Sequence, residues 1–174
     1  MAEVTRKELI LALVAAGDHP RLAGMDLSGL VLRSIDLHGA DLTDANLSGA
    51  DLRRANLHKA VLRGADLRGT QLIAANLAEA DLLGANLALA DLSGANLNGA
   101  FLGHAHLRQA VLYRADLRGA ELPQADLMGA NLTECCLYGA DLTQAVLIGA
   151  AMSKADTRAA RMSGARMPDG SVHA

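Results

Sequence analysis

The sequence predicts an all-β solenoid that turns once every five residues, on three observations. Leu occupies every fifth position from Leu27 to Leu147, 25 consecutive times, and the register runs on through Met152, Thr157, Met162 and Met167 without an insertion. Ala stands two residues before each of these centres from Ala40 to Ala165, broken only by Thr70 and Cys135. Gly is the commonest residue two after the centre, as at Gly39, Gly49, Gly64, Gly84 and Gly99. Internal repetition of this length outranks other sequence signals.

The spacing dictates the geometry. Ala and the centre that follows are two apart, so on an extended segment both point to one side. The next Ala comes three after the centre, where a straight strand would turn it outward. The chain must therefore bend once per pentad, and Gly supplies the positive φ of a type II turn at that point. Pentads with Arg54, Lys59, Leu89 or Glu134 in place of Gly are expected to turn less regularly, because a side chain tolerates positive φ poorly.

Composition agrees with a regular interior. The chain is 51% hydrophobic yet only 2% aromatic, has no Trp, and carries 17 Gly against three Pro. Its net charge is −3, from 19 acids and 16 bases, so no basic footprint calls for direct nucleic-acid binding. No apolar run approaches a membrane span. Adjacent Cys135 and Cys136 point to opposite faces of an extended chain: Cys135, at an Ala position, is expected inside and inert, and Cys136 outside. Two such cysteines make no disulfide framework.

At the N-terminus, Arg6 and Lys7 before the apolar Leu9–Ala16 imitate an export signal. Glu3 and Glu8 oppose that reading. Thr5 with Glu8 reads as a capping box and Gly17 as a C-cap, so a short capping helix is expected and the cytoplasm is the expected compartment. Met25, Leu30 and Ile35, larger than the Ala that follow in their column, fit a wider and irregular first coil beneath it. The expected division is 1–24 helical cap, 25–169 repeat and 170–174 tail.

The motif Ala-(Asp/Asn)-Leu-x-Gly, as in "ADLTD", "ANLSG", "ADLRG" and "ANLNG", resembles the pentapeptide-repeat family. The resemblance implies that four pentads close one square coil of a right-handed quadrilateral β-helix. A coil is then 20 residues, the chain holds about seven coils, and stacking at roughly 4.8 Å gives a rod of about 35 Å. It also implies a function class: a non-enzymatic structural or interaction scaffold whose partner the residues do not name. Some members bind DNA gyrase as mimics of duplex DNA and protect against quinolones, which is the alternative. Against it, Arg stands two after Asp in Asp51/Arg53, Asp66/Arg68 and Asp116/Arg118, neutralising the acids locally.

Rows of outward residues recur every 20. Asp36, Asn56, Asn76, Asn96, Asp116, Cys136 and Asp156 form one such row, expected to bond backbone or water beside the turns. His38 stacks on His58, two ligands too few for a metal, and His104 and His106 read as surface residues. No Ser, Thr or Cys sits in a nucleophile constellation and no cofactor motif occurs, so no catalytic, cofactor or metal residue is assigned. Three outward clusters are candidate contacts. Arg118, Tyr138 and Arg158 should stack as a cation–π ladder. Val61, Leu83 and Phe101 should gather mid-rod. Met128, Val146 and Ile148 should gather near the C-terminal end, where no cap follows the last coil; the tail or, preferably, a second copy in a tail-to-tail dimer would cover it.

Overall fold

A computed structural model describes residues 20–174. The expected N-terminal helix lies outside the described residues. From Arg21 onward every fifth residue pairs in parallel with the residue 20 further along, from Arg21 with Asp41 to Val146 with Arg166. Four turns separate each such pair. One coil is thus 20 residues with four sides, as the resemblance implies.

The sides are numbered by their first centres: side 1 from Leu22, side 2 from Leu27, side 3 from Leu32 and side 4 from Leu37. Arg21 already pairs with Asp41, so Pro20–Gly24 belongs to the first coil and not to the cap assigned from sequence. Nor is this coil irregular: Asp26, Val31 and Asp36 pair in the same register, Ile35 is buried, and Met25 and Leu30 pack partly buried against the core.

The backbone accounting explains the pentad. The centre amide donates to the next coil, as from Leu97 to the Asp116 carbonyl at 2.7 Å, and the amide two later does the same, as from Gly99 to Arg118 at 3.0 Å. The amide before the centre donates to the preceding coil, Asn96 to the Ala75 carbonyl at 2.9 Å. The Ala amide closes the turn, Ala100 to the Leu97 carbonyl at 3.0 Å. That leaves one amide per pentad, immediately after the centre, and Asp or Asn before the centre accepts it: Asn98 N–H to Asn96 Oδ1 at 3.1 Å, Thr43 N–H to Asp41 Oδ1 at 3.1 Å. A short acceptor at this position satisfies a donor the sheet cannot reach.

All 29 turns from Gly24 to Gly164 have positive φ, and 15 of them lack Gly. Arg54 (58°), Lys59 (58°), Leu89 (62°) and Glu134 (58°) conform with the rest, which corrects the expectation of irregular turns. The stack imposes the angle, because each turn amide has its acceptor in the next coil only in this geometry; Leu89 N–H donates to the Arg108 carbonyl at 3.0 Å. Inside, the centres from Leu22 to Leu147 and their Ala neighbours from Ala40 form one continuous buried column. Thr70, at an Ala position, is fully buried and donates its hydroxyl to the Leu47 carbonyl at 3.0 Å, so no polar group is stranded there.

At the C-terminal end the chain reverses through Pro168-Asp169-Gly170. Gly170 (φ 85°) donates to the Met167 carbonyl, Met167 donates to Ser171, and Arg166 pairs antiparallel with Val172. This tail covers side 2 of the last coil and reaches Gly164 through the His173 carbonyl. The amides of Met152 and Lys154 on side 3, Thr157 and Ala159 on side 4, and Met162 on side 1 have no backbone acceptor among the described residues. The end is half covered by its own tail.

Candidate functional site

The described interior is a continuous buried column of Leu and Ala, so among the described residues the candidate contacts lie on the outward rows. Their first property is charge compensation. Nine of the 16 described acids sit in ion pairs. Asp66/Arg68, Asp116/Arg118 and Asp156/Arg158 are two-point pairs within one turn. The Arg158 guanidinium and amide hold the Asp156 carboxyl down to about 2. Arg68 and Arg118 lower Asp66 and Asp116 in the same manner. Across coils Arg63 binds Asp81 at 2.6 Å and Arg161 binds Asp141 at 2.7 Å.

On side 4 the row read from sequence is an amide ladder. Asn56 donates to Asp36 at 2.9 Å, Asn76 to Asn56 and Asn96 to Asn76, both at 3.2 Å. His38 and His58 stack with ring centroids 5.2 Å apart. His58 Nδ1 lies 2.8 Å from the Ala78 carbonyl, which can only accept, so that nitrogen carries the proton. No group of three metal-ligating side chains occurs among the described residues. His104 and His106 are exposed.

The predicted cation–π ladder forms only in part. Arg158 lies over Tyr138 at 6.0 Å, whereas Arg118 turns to Asp116. A second stack, Arg114 over Tyr113 at 4.9 Å, escaped the sequence reading. Cys135 is buried and its thiol is pushed up to about 12, chiefly by desolvation; Cys136 is partly exposed.

Side 1 carries an outward cavity of about 300 Å³, lined by Arg63, Asp81, Leu83, Phe101, Gly103, Glu121 and Pro123. Two of its walls are exposed hydrophobes, Leu83 (43%) and Phe101 (44%). Four successive coils contribute to it, with Arg63 from the first. Leu83, Gly103 and Pro123 stand in one row after the centres, Asp81, Phe101 and Glu121 in the row before them. Gly103 is the notch: a Cβ there would come within 3.2 Å of Leu83 Cδ1 and 3.6 Å of Pro123 Cγ. The structure thus brings Leu83 and Phe101 together as the sequence groups them, while Val61 stays outside the lining. Gly103, Glu121 and Pro123 went unnoticed, although the 20-residue register places them beside Leu83 and Phe101. Met128, Val146 and Ile148 share side 2 and are each only half exposed.

Comparison with known proteins agrees with this architecture. Pentapeptide repeats are matched in overlapping segments that together run over residues 21–164, and the chain belongs to the pentapeptide-repeat family. Its coil is accordingly a right-handed β-helix, the fold of that family. Among solved structures it is similar to trypsin-treated QnrB1, a plasmid-mediated fluoroquinolone resistance protein. The two are 21% identical, with 83% of this chain and 71% of that one covered, at a TM-score of 0.57. HetL, a pentapeptide repeat protein involved in heterocyst differentiation regulation from the cyanobacterium Nostoc sp. Strain PCC 7120, is 28% identical, with 98% of this chain and all of that chain covered at a TM-score of 0.35. A pentapeptide repeat protein of the Arabidopsis thaliana thylakoid lumen is 30% identical over 70% of this chain and 73% of its own, at a TM-score of 0.25. No curated protein matches the chain. Among the described residues, no helix is long and apolar enough to cross a membrane.

Proposed function

We propose that this protein is a non-enzymatic interaction scaffold that docks a protein partner on side 1, through the Leu83–Phe101 cavity. The observation that carries this reading is the exposure of a Leu and a Phe at one notch of the surface. Solitary surface hydrophobes need no explanation, but two converging on a cavity offer an anchor pocket. The backbone around it is held by three inter-coil hydrogen bonds per pentad, so docking costs little reorganisation. Glu121 on the rim forms no ion pair among the described residues and favours a partner segment carrying a cation beside an apolar side chain.

In this reading the repeat unit is residues 25–169, extended by its first pentad, with 170–174 as a hairpin tail. A tail-to-tail homodimer fits the uncovered amides on sides 3 and 4 of the last coil and the half-exposed Met128, Val146 and Ile148. Gyrase mimicry has weaker support, since eight of the 16 described acids that would imitate phosphates are bound to arginines.

The test is affinity capture with quantitative mass spectrometry, comparing the wild type with Leu83→Glu/Phe101→Glu and with Tyr138→Glu on side 4. Partners retained by the wild type and by Tyr138→Glu but lost with the double variant support docking on side 1. Equal recovery by all three proteins would overturn it.

A further inference from the structure

A second outward cavity, of about 380 Å³, lies on side 3 and the corner that follows it, lined by Arg33, Ser34, Arg53, Arg54 and Ile73. Three guanidiniums share one cavity and are compensated less fully than the arginines in one-to-one pairs such as Arg68/Asp66 and Arg118/Asp116. Their single acid is Asp51, which is 7% exposed. Arg53 grips it with Nε on Oδ1 at 2.8 Å and a terminal nitrogen on Oδ2 at 2.7 Å, and Arg33 adds its Nε to the same Oδ2. Asp51 therefore has no acceptor to spare. Arg54 has no acidic partner among the described residues, so three positive charges meet one negative charge.

The arrangement also fixes where the unused donors go. Arg33 binds Asp51 through Nε alone, which leaves both of its terminal nitrogens free; Arg53 keeps one. Arg33 and Arg53 occupy the same place on successive coils, so their side chains are one rung apart, and a nearly buried carboxylate holds both. Ser34 and Arg54, at the positive-φ corner of the same two coils (54° and 58°), flank them. Ile73 supplies the apolar wall on the third coil. A preorganised fork of guanidiniums with a surplus of two positive charges suits a compact dianion with several acceptor oxygens.

We infer that this cavity binds a phosphate monoester group, with Arg33, Arg53 and Arg54 as the charged ligands and the Ser34 hydroxyl as a neutral one. The site is on a different side from the Leu83–Phe101 cavity and does not depend on it. The phosphate can belong to a small metabolite or to a phosphorylated protein side chain, since both present the same dianion.

The experiment follows the side-chain Nε–Hε resonances of the ¹⁵N-labelled protein during titration with inorganic phosphate, with chloride at matched ionic strength as the screening control. Arg54→Gly is the test variant: it removes one charge, and Gly accepts the φ of 58° without strain. The expected result is saturable movement of Arg33, Arg53 and Arg54 in phosphate but not in chloride, with affinity weakened at least fivefold by Arg54→Gly. Parallel titrations with a phosphoserine peptide and a nucleoside monophosphate identify the source, by whichever binds more tightly than inorganic phosphate. Shifts that never saturate, that chloride reproduces, or that Arg54→Gly leaves unchanged would overturn the assignment.

Discussion

Leu89 stands where the turn demands positive φ (62°), and its side chain is 64% exposed, so it contributes little burial in return. A non-Gly residue in the left-handed region costs about 1–2 kcal/mol. Replacing it with Gly removes that strain, offset by the roughly 0.5–1 kcal/mol of extra freedom Gly gains in the unfolded chain. Leu89→Gly should therefore stabilise the protein by about 0.5–1 kcal/mol, since the amide bond to Arg108 is kept. Gly84 is the mirror experiment. Its φ is 65°, and a Cβ built there meets nothing within 4 Å, so Gly84→Ala tests backbone strain without a clash and should destabilise by a similar amount. For a chain of this size each kcal/mol moves Tm by about 2–4 °C. Denaturant unfolding followed by far-UV circular dichroism measures both variants. If Leu89→Gly is no more stable than the wild type while Gly84→Ala is no less stable, the claim that stacking forces strained residues into a common turn is wrong.

Three further outcomes are expected. Cys136 should react with a thiol-alkylating reagent in the native protein, whereas Cys135, with its thiol pushed up to about 12, should react only on unfolding; mass spectrometry of partly labelled protein separates the two. Asp66, Asp116 and Asp156 have carboxyls depressed in the folded state, so the unfolded chain takes up protons first as pH falls. Their stabilisation is complete above the ordinary carboxyl value of 3.8 and is lost as pH drops toward about 2, the value of Asp156, which denaturant melts across that range would show. Ile148→Glu should convert a tail-to-tail dimer into a monomer in small-angle scattering; an unchanged dimer would remove Ile148 from the interface.

Most of this architecture is legible in the sequence because a strict period leaves little freedom. Once Leu returns every fifth residue with Ala two before it, inside and outside are assigned at each position. The shape of a coil is less legible. Five-residue spacing requires a turn but does not say how many turns close a circuit, and the number four came from the resemblance. Local propensity predicts irregular turns at Arg54, Lys59, Leu89 and Glu134 because it treats each turn by itself, whereas the inter-coil hydrogen bonds set them collectively. The same collectivity drew Pro20–Gly24 into the first coil, where Leu22 is a centre already in register.

The surface was legible by row and not by contact. Register alone places Leu83 near Phe101 and Arg158 beside Tyr138. It sets Arg118 beside both Asp116 and Tyr138 without ranking the two contacts, and does not reveal that the missing side chain of Gly103 opens a cavity while Val61 lies outside it. Nor does it show Arg33 reaching across 18 residues of sequence to the carboxylate that Arg53 already holds. Such choices among neighbours depend on side-chain reach, which a linear pattern does not encode.

Docking through displayed side chains is a different function from imitating the charge of duplex DNA. Titrating the protein into a supercoiling reaction of a bacterial DNA gyrase, with and without a quinolone, tests that distinction most directly. A side-chain scaffold should leave supercoiling and quinolone sensitivity unchanged up to high micromolar protein. Inhibition at micromolar concentration or below, or protection from the quinolone, would contradict it and return the acids to the centre of the function.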